Sequence, residues 1–179
     1  LINTSVLSID GNKEEVWFAT LGGVSKCSFT GSEVGDIGDF TSFNEANGLG
    51  NNFIYKVFID SKKRIWFGTD GHGLSCLKNG KFINYSEREG LKSRIIYSIT
   101  EDPYGNIWIS SATDGIYRFD GTTFRNFSVA QGLSEINVAA IRTDRKGNIV
   151  VVHKKGVDVM DPSNYQVVSF SSDMGISNI

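Results

Sequence analysis

An all-β fold of four-stranded antiparallel blades, a β-propeller, is what this sequence predicts, and three observations predict it. One phrase is written four times: DGNKEEVWFATLGGV at Asp10–Val24, DSKKRIWFGTDGHGL at Asp60–Leu74, DPYGNIWISSATDGI at Asp102–Ile116 and DRKGNIVVVHKKGV at Asp144–Val157. Each copy sits in a unit that divides into four short runs rich in Ile, Val, Phe, Tyr and Trp, punctuated by glycine, asparagine and aspartate. No stretch keeps a 3.6-residue apolar period, so almost no helix is expected. Four strands in a unit of roughly 40–45 residues make a propeller blade, which buries its two apolar faces only by stacking on others like it.

The units align on three markers. Gly-Leu recurs at Gly48-Leu49, Gly90-Leu91 and Gly132-Leu133, then as Gly175-Ile176. An aromatic recurs at Phe43, Tyr85, Phe127 and Phe170. A strand tryptophan recurs at Trp17, Trp66 and Trp108, with Val150 in the fourth copy. An insertion, GSEVGDIGD at Gly31–Asp39, lengthens the first unit. The blades therefore span 1–47 (with the inserted loop at 31–39), 48–89, 90–131 and 132–174, and 175–179 reads as the start of a fifth, all within one propeller domain. The simplest expectation is an arc of a larger propeller, with a closed four-bladed ring as the alternative.

The second strand of each blade is expected to lie between layers, its tryptophan filling the inter-blade space. The small residue two places on (Ala19, Gly68, Ser110) leaves room for a large neighbour, and Val150 leaves the fourth blade less filled. DSKK, DPYGN and DRKGN are tight turns needing positive φ. Asp10, Asp60, Asp102 and Asp144 recur at them, one per blade, which fits turn capping. Calcium binding is the weaker reading, because the oxygen ligands are too sparse.

Composition excludes several classes. The chain is 40% hydrophobic and 21% charged, with net charge −2, so no bulk attraction to nucleic acid or an anionic membrane is expected. No apolar run approaches the ~20 residues that span a bilayer, and no signal peptide is visible at Leu1. Cys27 and Cys76 fall in non-equivalent slots and should point to opposite faces, which predicts free thiols packed as small apolar residues.

Chemistry-bearing residues are few. His72 lies in TDGHGL between strands two and three, and His153 ends a second strand at the slot of Thr20, Thr69 and Ser111. Neither belongs to a zinc-type spacing. The glycines of TDGHG precede neither a helix nor a lysine, so they form no phosphate cradle. Lys62, Lys63 and Arg64 read as a solvated basic turn. No catalytic set, metal site or cofactor is expected. Strand order places the turns between strands two and three at the same end as the connections between blades. Near that end, Asn52, Tyr55, His72, Arg94, Tyr97 and Asn137 are the candidate ligand contacts, since amides, a guanidinium and aromatic rings suit sugar hydroxyls and sugar faces. Ordinary surface polarity is the competing reading.

The units carrying these residues, best seen in GLKSRIIYSITEDPYGNIWISSATDGIYRFDGTTFRNFS from Gly90, resemble the two-component regulator propeller repeat. The resemblance covers nearly the whole chain. It implies the periplasmic sensor region of a hybrid two-component regulator of Bacteroides type, extracytoplasmic and joined elsewhere in the chain to an inner-membrane helix and a histidine kinase. Such regions have seven-bladed propellers, so the remaining blades and sensor domains would be partners. The family senses oligosaccharides, which implies an oligosaccharide or related metabolite as ligand. A homodimer through exposed blade faces is a further option, and no nucleic acid is expected to bind. Two other functions remain open: a protein-interaction scaffold, and an enzyme similar to the streptogramin lyases, which depend on histidine, glutamate and a divalent metal.

Overall fold

The computed structural model describes residues 1–31 and 36–171. Among the described residues sixteen strands form four separate four-stranded antiparallel sheets, each in sequence order. The first holds β1 (Val6–Gly11), β2 (Glu15–Thr20), β3 (Gly23–Phe29) and β4 (Ile37–Phe43). The second holds β5 (Ile54–Ile59), β6 (Ile65–Thr69), β7 (Leu74–Lys78) and β8 (Lys81–Tyr85). The third holds β9 (Ile96–Glu101), β10 (Ile107–Ser111), β11 (Ile116–Phe119) and β12 (Phe124–Phe127). The fourth holds β13 (Val138–Thr143), β14 (Ile149–His153), β15 (Gly156–Met160) and β16 (Val167–Ser171). Part of the inserted stretch is itself strand, because Ile37 pairs with Phe29 and lengthens the β3–β4 hairpin. The expected fifth blade, 175–179, lies outside the described residues.

The chain divides into two compact units, Leu1–Tyr85 with the first two sheets and Ser86 onward with the other two. In the first unit Trp17 is the filler between sheets, with ring centroids 5.7 Å from Phe43 and 5.6 Å from Phe67 of the next sheet. Ala19, Val24, Leu49, Ile54, Val57 and Ile65 complete that core. In the second unit Trp108 and Phe127 do the same against Ile141, Ile149, Val151 and Met160. Emptying one such indole site costs about 3–5 kcal/mol. The small residues Ala19, Gly68 and Ser110 are buried. Val150 is only half-buried and borders an open 520 Å³ cleft with Arg142, Thr143, Asp144 and Arg145.

The first strands of each sheet pair lie side by side, joined by short polar side chains. Ile59 N–H donates to Asp10 Oδ2 (2.8 Å) and Val57 N–H to Ser8 Oγ (3.4 Å). In the second unit Thr143 N–H donates to Thr100 Oγ1 (3.1 Å) and Ser98 Oγ to the Ile141 carbonyl (3.0 Å). A strand edge buried between blades would otherwise leave unsatisfied amides.

Gly-Leu acquires a physical reason. Each is preceded by a single 3-10 turn (Glu45–Asn47, Glu87–Glu89, Val129–Gln131), and the glycine ends it in the left-handed region at φ 97°, 92° and 99°. Capping boxes hold the turns: Asn44 with Asn47, Ser86 with Glu89, Ser128 with Gln131. The leucine that follows is buried each time. These three turns are the helical content among the described residues.

The turn aspartates do more than cap. Asp60 Oδ1 accepts the Lys62 and Arg64 amides (2.9 and 2.8 Å), while Oδ2 accepts Trp66 Nε1 at 2.8 Å. Asp102 does the same for Tyr104, Asn106 and Trp108. In the first sheet the work is divided: Asn12 caps the turn, Glu15 accepts Trp17 Nε1 (2.9 Å), and Asp10 is turned to Ile59. Arg64 departs from the expected solvated basic turn. Its guanidinium is bonded to Asp60 and stands 4.8 Å over the Trp66 ring, because the small Cys76 opposite Trp66 leaves that space open.

Both cysteines are free and buried. Cys76 lies opposite Trp66, and Cys27 opposite Val16, one residue out of phase with Trp17.

Candidate functional site

Every sheet ends its β2–β3-type turn with the same device. Thr20 Oγ1 accepts the Gly22 amide (3.1 Å), Thr69 Oγ1 the His72 amide (3.1 Å) and Ser111 Oγ the Asp114 amide (2.7 Å). In the fourth sheet His153 takes this place, its Nδ1 accepting the Lys155 amide at 3.2 Å. An accepting Nδ1 leaves the imidazole proton on Nε2, a tautomer assigned by this network.

The incoming connection is hooked onto the same end of the sheet. Ile2 N–H donates to Ser25 Oγ (2.8 Å), Gly50 N–H to Ser75 Oγ (3.2 Å) and Ser134 N–H to Asp158 Oδ2 (2.7 Å). The acceptor is a neutral serine twice and a carboxylate in the fourth sheet. Ser134 Oγ also donates to Asp158 Oδ1 (2.7 Å) and lies 2.8 Å from Ser169 Oγ. His153 Nε2 stands 3.2 Å from Asp158 Oδ2, outside hydrogen-bond alignment, with both side chains fully buried. Sequence reasoning on single residues missed this cluster. The signal was available as a departure from the repeat: an imidazole where three blades have Thr or Ser, and a carboxylate where two have Ser. The hydroxyl of Ser134 faces a carboxylate and not the imidazole, so His153 does not activate it as a nucleophile.

Of the expected contacts, Asn52, Tyr55 and His72 belong to the first unit. The Asn52 side chain and Glu45 clamp each other's backbone: Glu45 N–H donates to Asn52 Oδ1 (2.9 Å) and Asn52 N–H to Glu45 Oε1 (3.0 Å). Tyr55 is half-buried and its hydroxyl donates to Asp70 Oδ2 at 3.0 Å, a partner the sequence reading did not name. His72 is exposed, with its amide bonded to Thr69 Oγ1 (3.1 Å). Arg94, Tyr97 and Asn137 belong to the second unit, and all three are exposed. Tyr55 and Tyr97 occupy the same position, a β-bulge one residue into the first strand, where the register slips between Ile54 and Lys56 and between Ile96 and Ser98. Leu7 and Ala139 hold that bulge in the other two sheets. A recurrent bulge re-aims one side chain out of the pleat.

Electrostatics at this end are local. The Ile136 amide, then the Asn137 amide and Lys155, hold the Glu135 carboxyl below the usual glutamate range. Burial pushes the Tyr117 phenol up, and the Asp114 charge adds to it. Among the described residues no group of three or more His, Cys, Asp or Glu side chains is arranged to hold a metal ion. The arrangement offers rings, amides and a guanidinium at sheet ends that are rigidly hooked to their connections. Among the described residues no helix is long and apolar enough to cross a membrane.

Two stretches, residues 48–71 and 90–113, match the family model described as two component regulator propeller. No curated protein matches the sequence. Solved structures are similar. One is the extracellular domain of a protein described as a hybrid two component system from B. thetaiotaomicron, with TM-score 0.80 and 21% identity over 95% of this chain and 23% of that one. A second such domain from the same organism gives TM-score 0.76 and 24% identity over 94% of this chain and 25% of that one. Virginiamycin B lyase from Staphylococcus aureus gives TM-score 0.73 and 17% identity, over 94% of this chain and 56% of that one. The fold is a β-propeller, and the chain spans about a quarter of the length of the two extracellular domains.

Proposed function

From the premise that the chain carries two-component regulator propeller repeats, we propose that it is a non-catalytic, extracytoplasmic sensory module of a hybrid two-component regulator, and that its ligand is an oligosaccharide or a related metabolite. The family match over residues 48–71 and 90–113 carries this reading. The likeness to extracellular domains of the same description supports it. The exposed Tyr97, Arg94 and Asn137 supply a ring face and polar groups for sugar recognition. A ligand would act by preferring one of two arrangements of the longer protein, and it can shift them only by its difference in affinity. Thermal melting of the longer protein against a panel of oligosaccharides tests the reading. A saturable rise in Tm for one of them, removed by Tyr97→Ala, is expected. A flat profile across the panel overturns it.

A further inference from the structure

At the other end of the third and fourth sheets, the β9–β10 turn, β11 and the β15–β16 turn enclose a cleft of 310 Å³, lined by Tyr104, Asn106, Arg118, Pro162 and Ser163. Its cation is the one to ask about. Lys26 and Arg118 occupy the same slot, opposite the strand tryptophan. Lys26 is neutralised by Glu15 at 3.3 Å, and in the second sheet Arg64 is neutralised by Asp60. Arg118 is paired less closely, its only ion pair among the described residues being the longer one to Asp120. Where the first sheet has Glu15 the third has the neutral Asn106, whose Oδ1 accepts Arg118 Nη2 at 3.0 Å. The nearest carboxylate, Asp120 Oδ2, stands 3.8 Å from Nη1, and Nε is buried without a hydrogen-bond partner.

The neighbouring carboxylates are already engaged. Asp120 accepts the Thr122 and Thr123 amides (2.9 Å each), and Asp161 Oδ1 accepts both the amide and the hydroxyl of Ser163 (2.8 and 2.7 Å). Asp102 Oδ2 is taken by Asn106 Nδ2 and Trp108 Nε1. The same cleft is lined by Tyr104, 65% exposed, in a position where the turns of the second and fourth sheets have Lys62 and Lys146. An under-neutralised arginine fork next to an open aromatic face pairs a carboxylate receptor with a stacking platform.

We propose that this cleft binds a six-membered ring carrying a carboxylate, the acid on Arg118 and the ring on Tyr104. A uronic acid and an aromatic acid share that chemistry. The site lies at the sheet end opposite to Arg94, Tyr97 and Asn137, so it stands or falls independently of the proposed sensory ligand. NMR titration of the 179-residue chain with glucuronate, benzoate and glucose tests it. Saturable shifts of the Tyr104 ring and the Arg118 Nε–H are expected with at least one of the two acids, and which one identifies the source. Glucose should bind at least tenfold more weakly. Tyr104→Ala, an exposed change that spares the core, should weaken binding by tenfold or more, as should Arg118→Met where that variant folds. No saturable shift with either acid, equal binding of glucose, or unchanged binding by Tyr104→Ala overturns the proposal.

Discussion

Trp108 Nε1 donates to Asp102 Oδ2 at 2.8 Å, so the acid that starts the turn also holds the indole that fills the core. The same oxygen accepts Asn106 Nδ2, and the other accepts two turn amides. Asp102→Ala would orphan a buried indole N–H together with the turn amides and should cost about 3 kcal/mol. Asp144 makes the turn bonds but sits in the blade with Val150 in place of the tryptophan, so Asp144→Ala should cost clearly less than Asp102→Ala. Urea unfolding of the two variants checks the contrast, and equal losses would contradict the role given to the indole bond.

Lys63 sits at φ 59°, where the equivalent turns have Gly105 and Gly147 at 79° and 90°. Its ion pair with Glu14 is exposed and 3.5 Å long, which contributes little. Lys63→Gly removes left-handed strain at some cost in unfolded-chain entropy, leaving a gain of about 0.5–1 kcal/mol in the unfolding free energy. Gly147→Ala should do the opposite, losing about 2 kcal/mol, because the new Cβ would lie 2.5 Å from Pro103 Cγ as well as at positive φ.

Stability should fall in acid. The carboxyls of Asp144, held by Asn148, of Asp161, held by Ser163, and of Glu89, held by the Ser86 amide, all lie below their ordinary values of 3.8 and 4.5. A depressed folded-state pKa gives stability that is present above the unfolded value and lost as pH drops through the folded one. The urea midpoint should therefore be level from pH 7 to 5 and decline below pH ~4.5. Asp144→Asn should reduce that decline. A midpoint that rises on acidification would contradict the assignment.

Burial pushes the Cys76 thiol up to about 12. The thiolate is the reactive form, so Cys76 of the native chain should not react with a thiol reagent at pH 8 on the timescale of minutes, and Cys27 should be protected by its burial. Both should react fully in denaturant. Rapid labelling of the native protein would show that the sheets open there.

The strand order within each blade, the buried tryptophans and the free cysteines were all legible in the sequence, because a period-2 apolar pattern punctuated by turn residues leaves a chain of this composition one way to hide its apolar faces. The Gly-Leu marker was legible as a recurrence, but its reason was not: the glycine is a left-handed terminator of a 3-10 turn that the apolar pattern, too short there, cannot signal. Tyr55 was named as a sugar contact from residue type, whereas its bond to Asp70 depends on two strands meeting at a bulge. Arg64 reads in sequence as one of three surface cations, yet the vacancy left by Cys76 across the sheet draws it over Trp66.

What the sequence by itself determined is the repeating unit, since local turn chemistry and alternation act over a few residues and are copied four times. What only the tertiary structure decided is how the copies differ. The close approach of His153 to Asp158, the hooking of Ser134 and the incomplete neutralisation of Arg118 each depend on groups from separate segments being brought within a few ångströms. Buried polar groups are satisfied by whatever neighbour the packing supplies, and that neighbour is set by cross-strand register and sheet stacking, not by position along the chain.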